Sequence, residues 1–302
     1  MSQERQRPQV SREVQRTTID WRVSTTISIA KSFVGRIEEV GTLSYNQLAA
    51  RTGELQDTLL QHLVPNPKER KTIILGTPDA QQIRTITEFV ATEGAKAMQI
   101  RHGEAIIPDS IKQLDPAAQK IIAMQEEHNM ADQLTPASMA EAAALGLVLR
   151  FIRVKTGKPM LIETSRNARA MQAAVIAGAI AEAVVIENPK LTCMNYRKGT
   201  PSEIKPLVNP DGTISWEKDA IDGVAEKGKG TFDTIQGNMG MWLVSSLGGN
   251  NDTIIRIGLT HSQQLATLAE RTQMPIGRIR YFGMQLFSQQ EAHLVPNGIN
   301  MK

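Results

Sequence analysis

Residues 165–186, SRNARAMQAAVIAGAIAEAVVI, form the most apolar stretch of the chain. A helix that is apolar nearly all round belongs in a protein core, and the alanines together with Gly178 allow a neighbouring helix to approach closely. Arg169 and Glu182 interrupt the stretch, so the apolar run is too short to span a membrane. We therefore predict a buried core helix here, around which the other elements pack.

The composition favours a fold made of helices. Aromatic residues make up only 4% of the chain, whereas methionine occurs 13 times and alanine is plentiful. The core must then be built from aliphatic side chains that suit helices, rather than from the aromatic and β-branched side chains that fill sheets. Residues 207–216 are an exception, because Asp211-Gly212 separates two short strand-like runs. We expect a mainly α fold with two helical lobes and a small β-hairpin element in the second lobe.

The length of 302 residues is enough for about two lobes. Lys158-Pro159 interrupts the helical pattern, which sets the boundary between the lobes near Gly157. The predicted divisions are a flexible basic arm (1–18), an N-terminal helical lobe (19–156), a C-terminal helical lobe with the small β element (157–290) and a tail (291–302).

The single cysteine, Cys193, excludes an intramolecular disulfide and a zinc site built on paired cysteines. No window of about 18 consecutive apolar residues occurs, and the N-terminus lacks the apolar segment of a secretory signal. The five histidines are scattered without the H-x-x-x-H or H-E-x-x-H spacing of a metal site. We expect a cytoplasmic protein, or one enclosed in a virion, with no metal and no cofactor.

Positive charge is concentrated between residues 150 and 169, where six lysines and arginines are opposed by a single acid, Glu163, for a net charge of +5. The whole chain carries only +3, so this stretch does not reflect a general basic bias. Arg166 and Arg169 open the predicted core helix, where positive side chains oppose the helix dipole. A bound anion would explain them, because helix-start N–H groups and arginines together form a phosphate site.

A nucleic-acid backbone is the extended anion that such a groove would bind. We predict a self-associating nucleoprotein or coat-like viral protein, not an enzyme, which contacts single-stranded RNA without strong sequence specificity. It would form a homo-oligomer through its flexible termini and would not bind membranes. The alternative is a solvated basic face whose charges pair with acids elsewhere in the fold. The predicted contact residues are Arg150, Arg153, Lys155, Lys158, Ser165, Arg166, Asn167, Arg169, Arg197 and Lys198.

A second possible function is a helix-turn-helix DNA-binding regulator. Residues 44–64 and 264–287 each show two short helical patterns around a polar turn. In the second segment, Arg278 and Arg280 would reach the duplex. Any helical hairpin with a short polar turn gives the same pattern, so plain packing helices are the simpler interpretation.

A third possible function is a nucleotide-dependent enzyme. Residues 71–76, KTIILG, read as a short strand, and Thr77-Pro78 is a signal for the start of a helix. However, neither G-x-G-x-x-G nor G-x-x-x-x-G-K-[ST] is present, so the glycines that let a backbone approach phosphates closely are missing. The segment therefore supports this function only weakly.

Overall fold

The structure of the chain is a computed structural model. The residues it describes are 10–94, 96–104, 133–165, 167–191, 207–208, 214–215, 231–248, 253–260, 265, 282–288 and 292–294.

Seven α-helices and eight strands lie in these ranges. The helices are α1 (Val10–Val34), α2 (Tyr45–Leu63), α3 (Pro67–Arg70), α4 (Ala80–Ala91), α5 (Pro136–Thr156), α6 (Ala168–Ala181) and α7 (Thr231–Leu247). The strands are β1 (Lys96–Arg101), β2 (Met160–Thr164), β3 (Val184–Glu187), β4 (Leu207–Val208), β5 (Ile214–Ser215), β6 (Ile255–Thr260), β7 (Met284–Ser288) and β8 (Ala292–Leu294). None of the described helices is long and apolar enough to cross a membrane.

Six strands form one mixed sheet in the order β3-β2-β6-β1-β7-β8. The first four are parallel to one another, while β7 pairs antiparallel with β1 and β8 pairs antiparallel with β7. The strand β6 comes late in the chain and is inserted between β1 and β2. The other two strands, β4 and β5, form a separate antiparallel pair, with Leu207 opposite Ser215.

Helices cover both faces of the main sheet. The larger core joins α5 and α6 to one face, which presents Met98, Ile162 and Ile257, and α1, α2 and α4 pack on the outside of α5. The smaller core joins α7 to the other face through Trp242 and Phe287. Because α5 lies between the sheet and an outer layer of helices, it is buried along most of its length. A helix apolar all round fits this position.

Helix α5 begins where the sequence predicts a helix start. The side chain of Thr135 accepts a hydrogen bond from the backbone N–H of Ser138, and Pro136 occupies the first turn, where its missing N–H costs nothing. This cap fixes the N-terminus of α5, and that end of the helix lies beside the candidate site described below.

Helices α5 and α6 pack so closely that Gly146 has no room for a side chain. A Cβ on this residue would lie 2.8 Å from the carbonyl oxygen of Ala177 and 2.9 Å from the Cβ of Ile180. We expect Gly146→Ala to lower the free energy of unfolding by about 1–3 kcal/mol, because the two helices must move apart. Gly237→Ala in α7 is the control, since nothing lies within 4 Å of its Cβ position, and it should stabilise by up to about 1 kcal/mol through helix propensity. Urea unfolding of both variants checks this, and equal effects would contradict it.

The prediction of a mainly α, two-lobed fold is wrong, because the chain builds a six-stranded sheet with helices on both faces. The composition did not indicate these strands because they are short and their buried apolar positions are filled mainly by alanine, methionine, isoleucine and leucine, with Phe287 as an aromatic exception. Strand β3 begins at Val184, inside the stretch 165–186 that was predicted to be one helix. The predicted hairpin of residues 207–216 is confirmed for its two paired strands, whereas the division into lobes near residue 157 stays a prediction.

The helix-turn-helix interpretation fails for residues 44–64, because α2 runs through the supposed turn as one helix. In the segment 264–287, strand β7 begins at Met284, and Arg278 and Arg280 lie outside the described residues. The expected strand at residues 71–76 is also wrong, because this segment has no strand partner in the structure.

Candidate functional site

Three parallel strands end together at one edge of the main sheet. Arg101, the last residue of β1, pairs in register with Thr260, the last residue of β6. Strand β2 ends on the other side of β6, where Thr164 pairs with Leu259. Ligands of open α/β sheets bind outside the carboxyl ends of the strands, next to the point where the strand order departs from the chain order. We call residues 101–104, 164–165, 167–169 and Thr260 the carboxyl edge.

His102 is buried at the carboxyl edge, immediately after β1. Its backbone N–H donates to the carbonyl of Thr260 at 2.8 Å, which extends the sheet ladder by one residue. Its ring Nδ1 lies 2.5 Å from the carbonyl oxygen of Gly103. Since a carbonyl oxygen only accepts, Nδ1 must carry the proton of this hydrogen bond. In the neutral ring, Nε2 then holds the lone pair, which is the form of imidazole that acts as a base or a nucleophile.

Gly103 brings this turn against the first turn of α5. A Cβ on Gly103 would lie 2.6 Å from the Cβ and 2.8 Å from the Oγ of Ser138, so no larger residue fits without movement. The next residue, Glu104, donates its backbone N–H to the Ser138 hydroxyl at 2.7 Å and accepts from the N–H of Thr135 at 3.0 Å. The turn that carries His102 is therefore fixed to the N-terminus of α5.

Helix α6 also begins at the carboxyl edge, directly after β2. Its side chain Gln172 accepts a hydrogen bond from the backbone N–H of Leu134 at 2.9 Å and donates to the side chain of Gln133, which ties α6 to the residues just before α5. Two helix N-termini thus meet at one end of the sheet. Helix N-termini attract anions, because their backbone N–H groups and dipoles present positive charge.

Two arginines belong to the same edge. Arg101 ends β1, and Arg169 lies in the first turn of α6, and both are partly buried. A guanidinium group stays charged at every physiological pH and matches the geometry of phosphate oxygens. Together with the helix N-termini, these side chains make the carboxyl edge suited to a small, highly charged anion such as a phosphate group.

The structure brings together only part of the predicted contact set. Ser165, Asn167 and Arg169 lie at the carboxyl edge, where Ser165 is buried and Asn167 is the N-cap residue of α6. The Ser165 hydroxyl lies 3.5 Å from the side-chain oxygen of Asn167. Their role in an anion site stays a prediction. The predicted residues Arg166, Arg197 and Lys198 lie outside the described residues.

Arg150 and Arg153 lie at the opposite end of the sheet. They occupy the C-terminal part of α5 and both bind the carboxylate of Glu182, which follows α6, with a distance of 2.5 Å for Arg150. Lys158 donates to the backbone carbonyls of Val90 and Thr92 at 3.2 Å, and Lys155 lies over the ring of Phe151. These four cations therefore do not line one open channel with Arg169.

Sequence reasoning missed Arg101, His102 and Gly103. The histidines were tested only for the spacing of metal ligands, and residues 96–101 were not recognised as a strand because Lys96, Gln99 and Arg101 are polar. A short run ending in Arg-His-Gly was the available signal, since a glycine after a strand permits the tight turn that places a histidine at a sheet edge. Among the described residues, no group of three or more His, Cys, Asp and Glu could hold a metal ion.

Glu163 forms a buried polar cluster two residues before Ser165 on β2. Its carboxylate accepts from the guanidinium of Arg256 at 2.5 Å, from the side chain of Asn188 at 3.3 Å and from the indole N–H of Trp242. The cluster joins β2, β6, α7 and the segment after β3 beneath the carboxyl edge. Such a cluster holds the strand ends in a fixed arrangement, because every polar atom loses a partner if they separate.

Glu141, in the second turn of α5, is buried behind the His102 turn. Burial raises the pKa of Glu141 from its ordinary 4.5 to about 7, although hydrogen bonds from the Gly76 backbone and the Ser138 hydroxyl oppose this rise and the charge of Glu104 adds to it. The carboxyl group therefore changes its charge near neutral pH.

This raised pKa predicts a dependence of stability on pH. The folded protein keeps the Glu141 proton up to about pH 7, whereas the unfolded chain releases it near pH 4.5. Stability from this group is therefore fully present below pH 4.5 and is lost as the pH rises through about 7, by an amount on the order of 3 kcal/mol. We expect Glu141→Gln to remove this component, which urea unfolding of both proteins at several pH values measures. An identical pH dependence in the two proteins would contradict the assignment.

Comparisons with known proteins give only distant similarities. No protein-family model and no curated protein matches the sequence. Among solved structures, the chain is similar to phosphoglycerate mutase from Bacillus anthracis str. Sterne, with 12% identity and a TM-score of 0.42 over 68% of this chain and 93% of that one. It is also similar to a mycobacterial glucosyl-3-phosphoglycerate phosphatase in complex with VO3, with 14% identity and a TM-score of 0.38 over 67% and 98% of the two chains. A protein described as mycobacterial hydrolase 1 matches with 14% identity and a TM-score of 0.37 over 64% and 88%. Identities and TM-scores this low establish neither family membership nor activity.

The prediction of an RNA-binding nucleoprotein or viral coat-like protein is wrong. Arg150 and Arg153 both pair with the carboxylate of Glu182, at the opposite end of the sheet from Arg169, so the predicted contact residues that the structure describes do not form one basic channel. Self-association through the termini stays a prediction.

Proposed function

We propose that the chain is a phosphoryl-transfer enzyme that acts on phosphate monoesters and uses His102 as the nucleophile. The observation that carries the proposal is the hydrogen bond between the Nδ1 of His102 and the carbonyl of Gly103, because it leaves the nucleophilic lone pair on Nε2. His102 lies at the carboxyl ends of three parallel strands, which is where α/β sheets bind their ligands.

The reaction would proceed in two balanced steps. The lone pair of Nε2 attacks the phosphorus atom and forms an N–P bond, while the ester P–O bond breaks and its electron pair leaves with the alcohol oxygen, which takes up a proton. The phosphoryl group on His102 is then transferred to an acceptor oxygen that loses a proton, and Nε2 recovers its lone pair. If the acceptor is water, the enzyme is a phosphatase, and if it is a second hydroxyl group, the enzyme is a mutase.

The remaining groups of the carboxyl edge would bind the transferred phosphoryl group. Arg101 and Arg169 supply fixed positive charge, and the N-termini of α5 and α6 supply backbone N–H groups and dipoles. Phosphoryl transfer depends mainly on positioning and on electrostatic stabilisation of the equatorial oxygens, so such groups account for most of the expected catalysis. The Gly103 carbonyl would stabilise the imidazolium that forms when the N–P bond is made, because it accepts from Nδ1 throughout.

Phosphate release from p-nitrophenyl phosphate by the purified protein tests this proposal. We expect turnover of the monoester and competitive inhibition by inorganic phosphate and by vanadate. We expect little turnover of bis(p-nitrophenyl) phosphate, because its second ester group takes the place of an oxygen that the arginines would bind. A panel of sugar phosphates, nucleoside monophosphates and phosphoglycerates then defines the substrate. Absence of release from every monoester, together with no protection of the protein from thermal unfolding by vanadate, would overturn the proposal.

A further inference from the structure

We infer that Ser138 and Glu141 are positioning residues for His102, acting through a buried chain of hydrogen bonds that anchors the His102-Gly103-Glu104 turn to α5. The inference rests on the proposed function for its catalytic consequence. The side chains of Ser138 and Glu141 lie behind the turn and do not themselves touch the reacting atoms.

The chain begins at the backbone of the turn. The N–H of Glu104 donates to the hydroxyl oxygen of Ser138 at 2.7 Å, and that hydroxyl donates its own proton to Oε2 of Glu141 at 3.3 Å. A serine hydroxyl has one proton, so giving it to Glu141 turns the oxygen lone pairs of Ser138 towards the N–H of Glu104. The Glu141 carboxylate thereby sets the direction in which Ser138 can hold the turn.

The chain continues into the helical layer on the far side of α5. The second oxygen of Glu141 accepts from the backbone N–H of Gly76 at 2.9 Å. The carbonyl of Gly76 accepts from the side chain of Gln56 on α2 at 2.8 Å, and the oxygen of that side chain accepts from the hydroxyl of Thr77 at 2.8 Å. The turn at the sheet edge is thus joined through α5 to α2 and to the segment before α4.

Burial makes this arrangement costly unless it is fully formed. Ser138, Glu141 and Gln56 are each at most 5% exposed. Burying a carboxyl group in a mostly apolar part of a helix costs free energy. An apolar residue of similar size at this position would avoid that cost. This cluster supplies a hydrogen-bond acceptor with a fixed direction for the backbone N–H of Glu104, which an apolar residue could not do. Buried polar groups around functional residues hold reactive side chains in place to a fraction of an ångström.

Gly103 allows the same contact from the other side. Its missing side chain lets the backbone of the turn approach to within reach of Ser138, since a Cβ there would overlap the serine. The close approach and the hydrogen bond to Glu104 therefore act on two consecutive residues. Together they fix the position of the Gly103 carbonyl, which orients the imidazole of His102 through Nδ1.

The test compares Ser138→Ala with Ser246→Ala as a matched control. Both serines are buried in helices and both changes remove one hydroxyl, but Ser246 donates to the carbonyl of Trp242 within α7, away from the turn. For Ser138→Ala we expect kcat for p-nitrophenyl phosphate to fall by about 10- to 100-fold with KM nearly unchanged. We also expect faster hydrogen–deuterium exchange of the Glu104 amide, and a shifted NMR signal of the His102 ring. Ser246→Ala should keep the wild-type values of all three.

Glu141→Gln is the second variant, and it replaces Ser138→Ala if that protein does not fold. We expect it to show the same effects in weaker form, because the amide no longer offers two acceptor oxygens. If Ser138→Ala matches Ser246→Ala in kcat and in the exchange of the Glu104 amide, the inference is wrong while the proposed function stands. If the wild-type protein hydrolyses no phosphate ester, the proposed function is wrong, and the exchange and NMR measurements alone decide whether the chain holds the turn.

Discussion

Replacing His102 with alanine should lower the turnover of phosphate monoesters by roughly a thousand-fold or more, because the group that forms the N–P bond is removed. The turn would keep its contacts, since Glu104 still bonds to Ser138 and the backbone N–H of residue 102 still bonds to Thr260. The folded protein should therefore bind vanadate while failing to turn over ester. Steady-state kinetics and thermal shift with vanadate measure the two properties on the same preparation.

His62→Ala is the matched control for this variant. His62 lies in the last turn of α2 and is exposed, so its replacement removes an imidazole without touching the carboxyl edge. Its kcat and KM should equal those of the wild-type protein. A His102→Ala protein that is folded and retains more than about a tenth of wild-type kcat would show that another group performs the transfer.

The second large effect concerns the Glu163 cluster and the stability of the sheet. Glu163→Gln replaces one oxygen of an acceptor-only carboxylate with an NH2 group, which then faces either the indole N–H of Trp242 or the donors of Arg256 and Asn188. The guanidinium of Arg256, whose side chain is 19% exposed, then loses its counter-charge. Removing one partner of a buried ion pair costs about 3–5 kcal/mol, so we expect a loss of this size in the free energy of unfolding.

Glu54→Gln makes the same chemical change at an exposed ion pair. Glu54 binds Arg51 at 2.5 Å on the surface of α2, and both side chains are about half exposed. Solvent screens such pairs, so the loss should be below about 1 kcal/mol. Urea unfolding of the two variants at one pH compares them directly. Equal midpoints would mean that the Glu163 cluster does not hold β2 and β6 together.

The sequence predicted individual elements better than their assembly. The stretch 165–186 does supply a buried helix, α6, and the cap at Thr135-Pro136 does start α5. The sheet was missed because strand β1 carries Gln99 and Arg101 on the same face as Ala97, which packs against α7, so the apolar residues of this strand do not reveal a face that is covered. No local pattern of apolar residues could reveal that this face is covered by α7, since the covering helix lies more than 100 residues away in the sequence.

The candidate site shows the same limit. The argument that arginines at a helix start need an anion singled out Arg169, together with Ser165 and Asn167, and the structure places these three residues at the carboxyl edge, while their binding of an anion stays a prediction. It failed for Arg150 and Arg153 because closeness in sequence was taken for closeness in space. Helix α5 runs away from the carboxyl edge and strand β2 returns to it, so residues about fifteen positions apart lie at opposite ends of the sheet. Both arginines pair with the carboxylate of one residue, Glu182, which directly follows the next helix.

A covalent phosphoryl group on His102 is the central claim, and rapid quenching of the protein with a phosphorus-32-labelled monoester tests it most directly. After alkaline quench and proteolysis, we expect label on the peptide that contains His102, stable in base and lost in acid as a phosphoramidate should be. The label should disappear when unlabelled ester is added before the quench, and the His102→Ala protein should carry none. Steady turnover of the ester by the wild-type protein with no label on His102 at any time would contradict the claim.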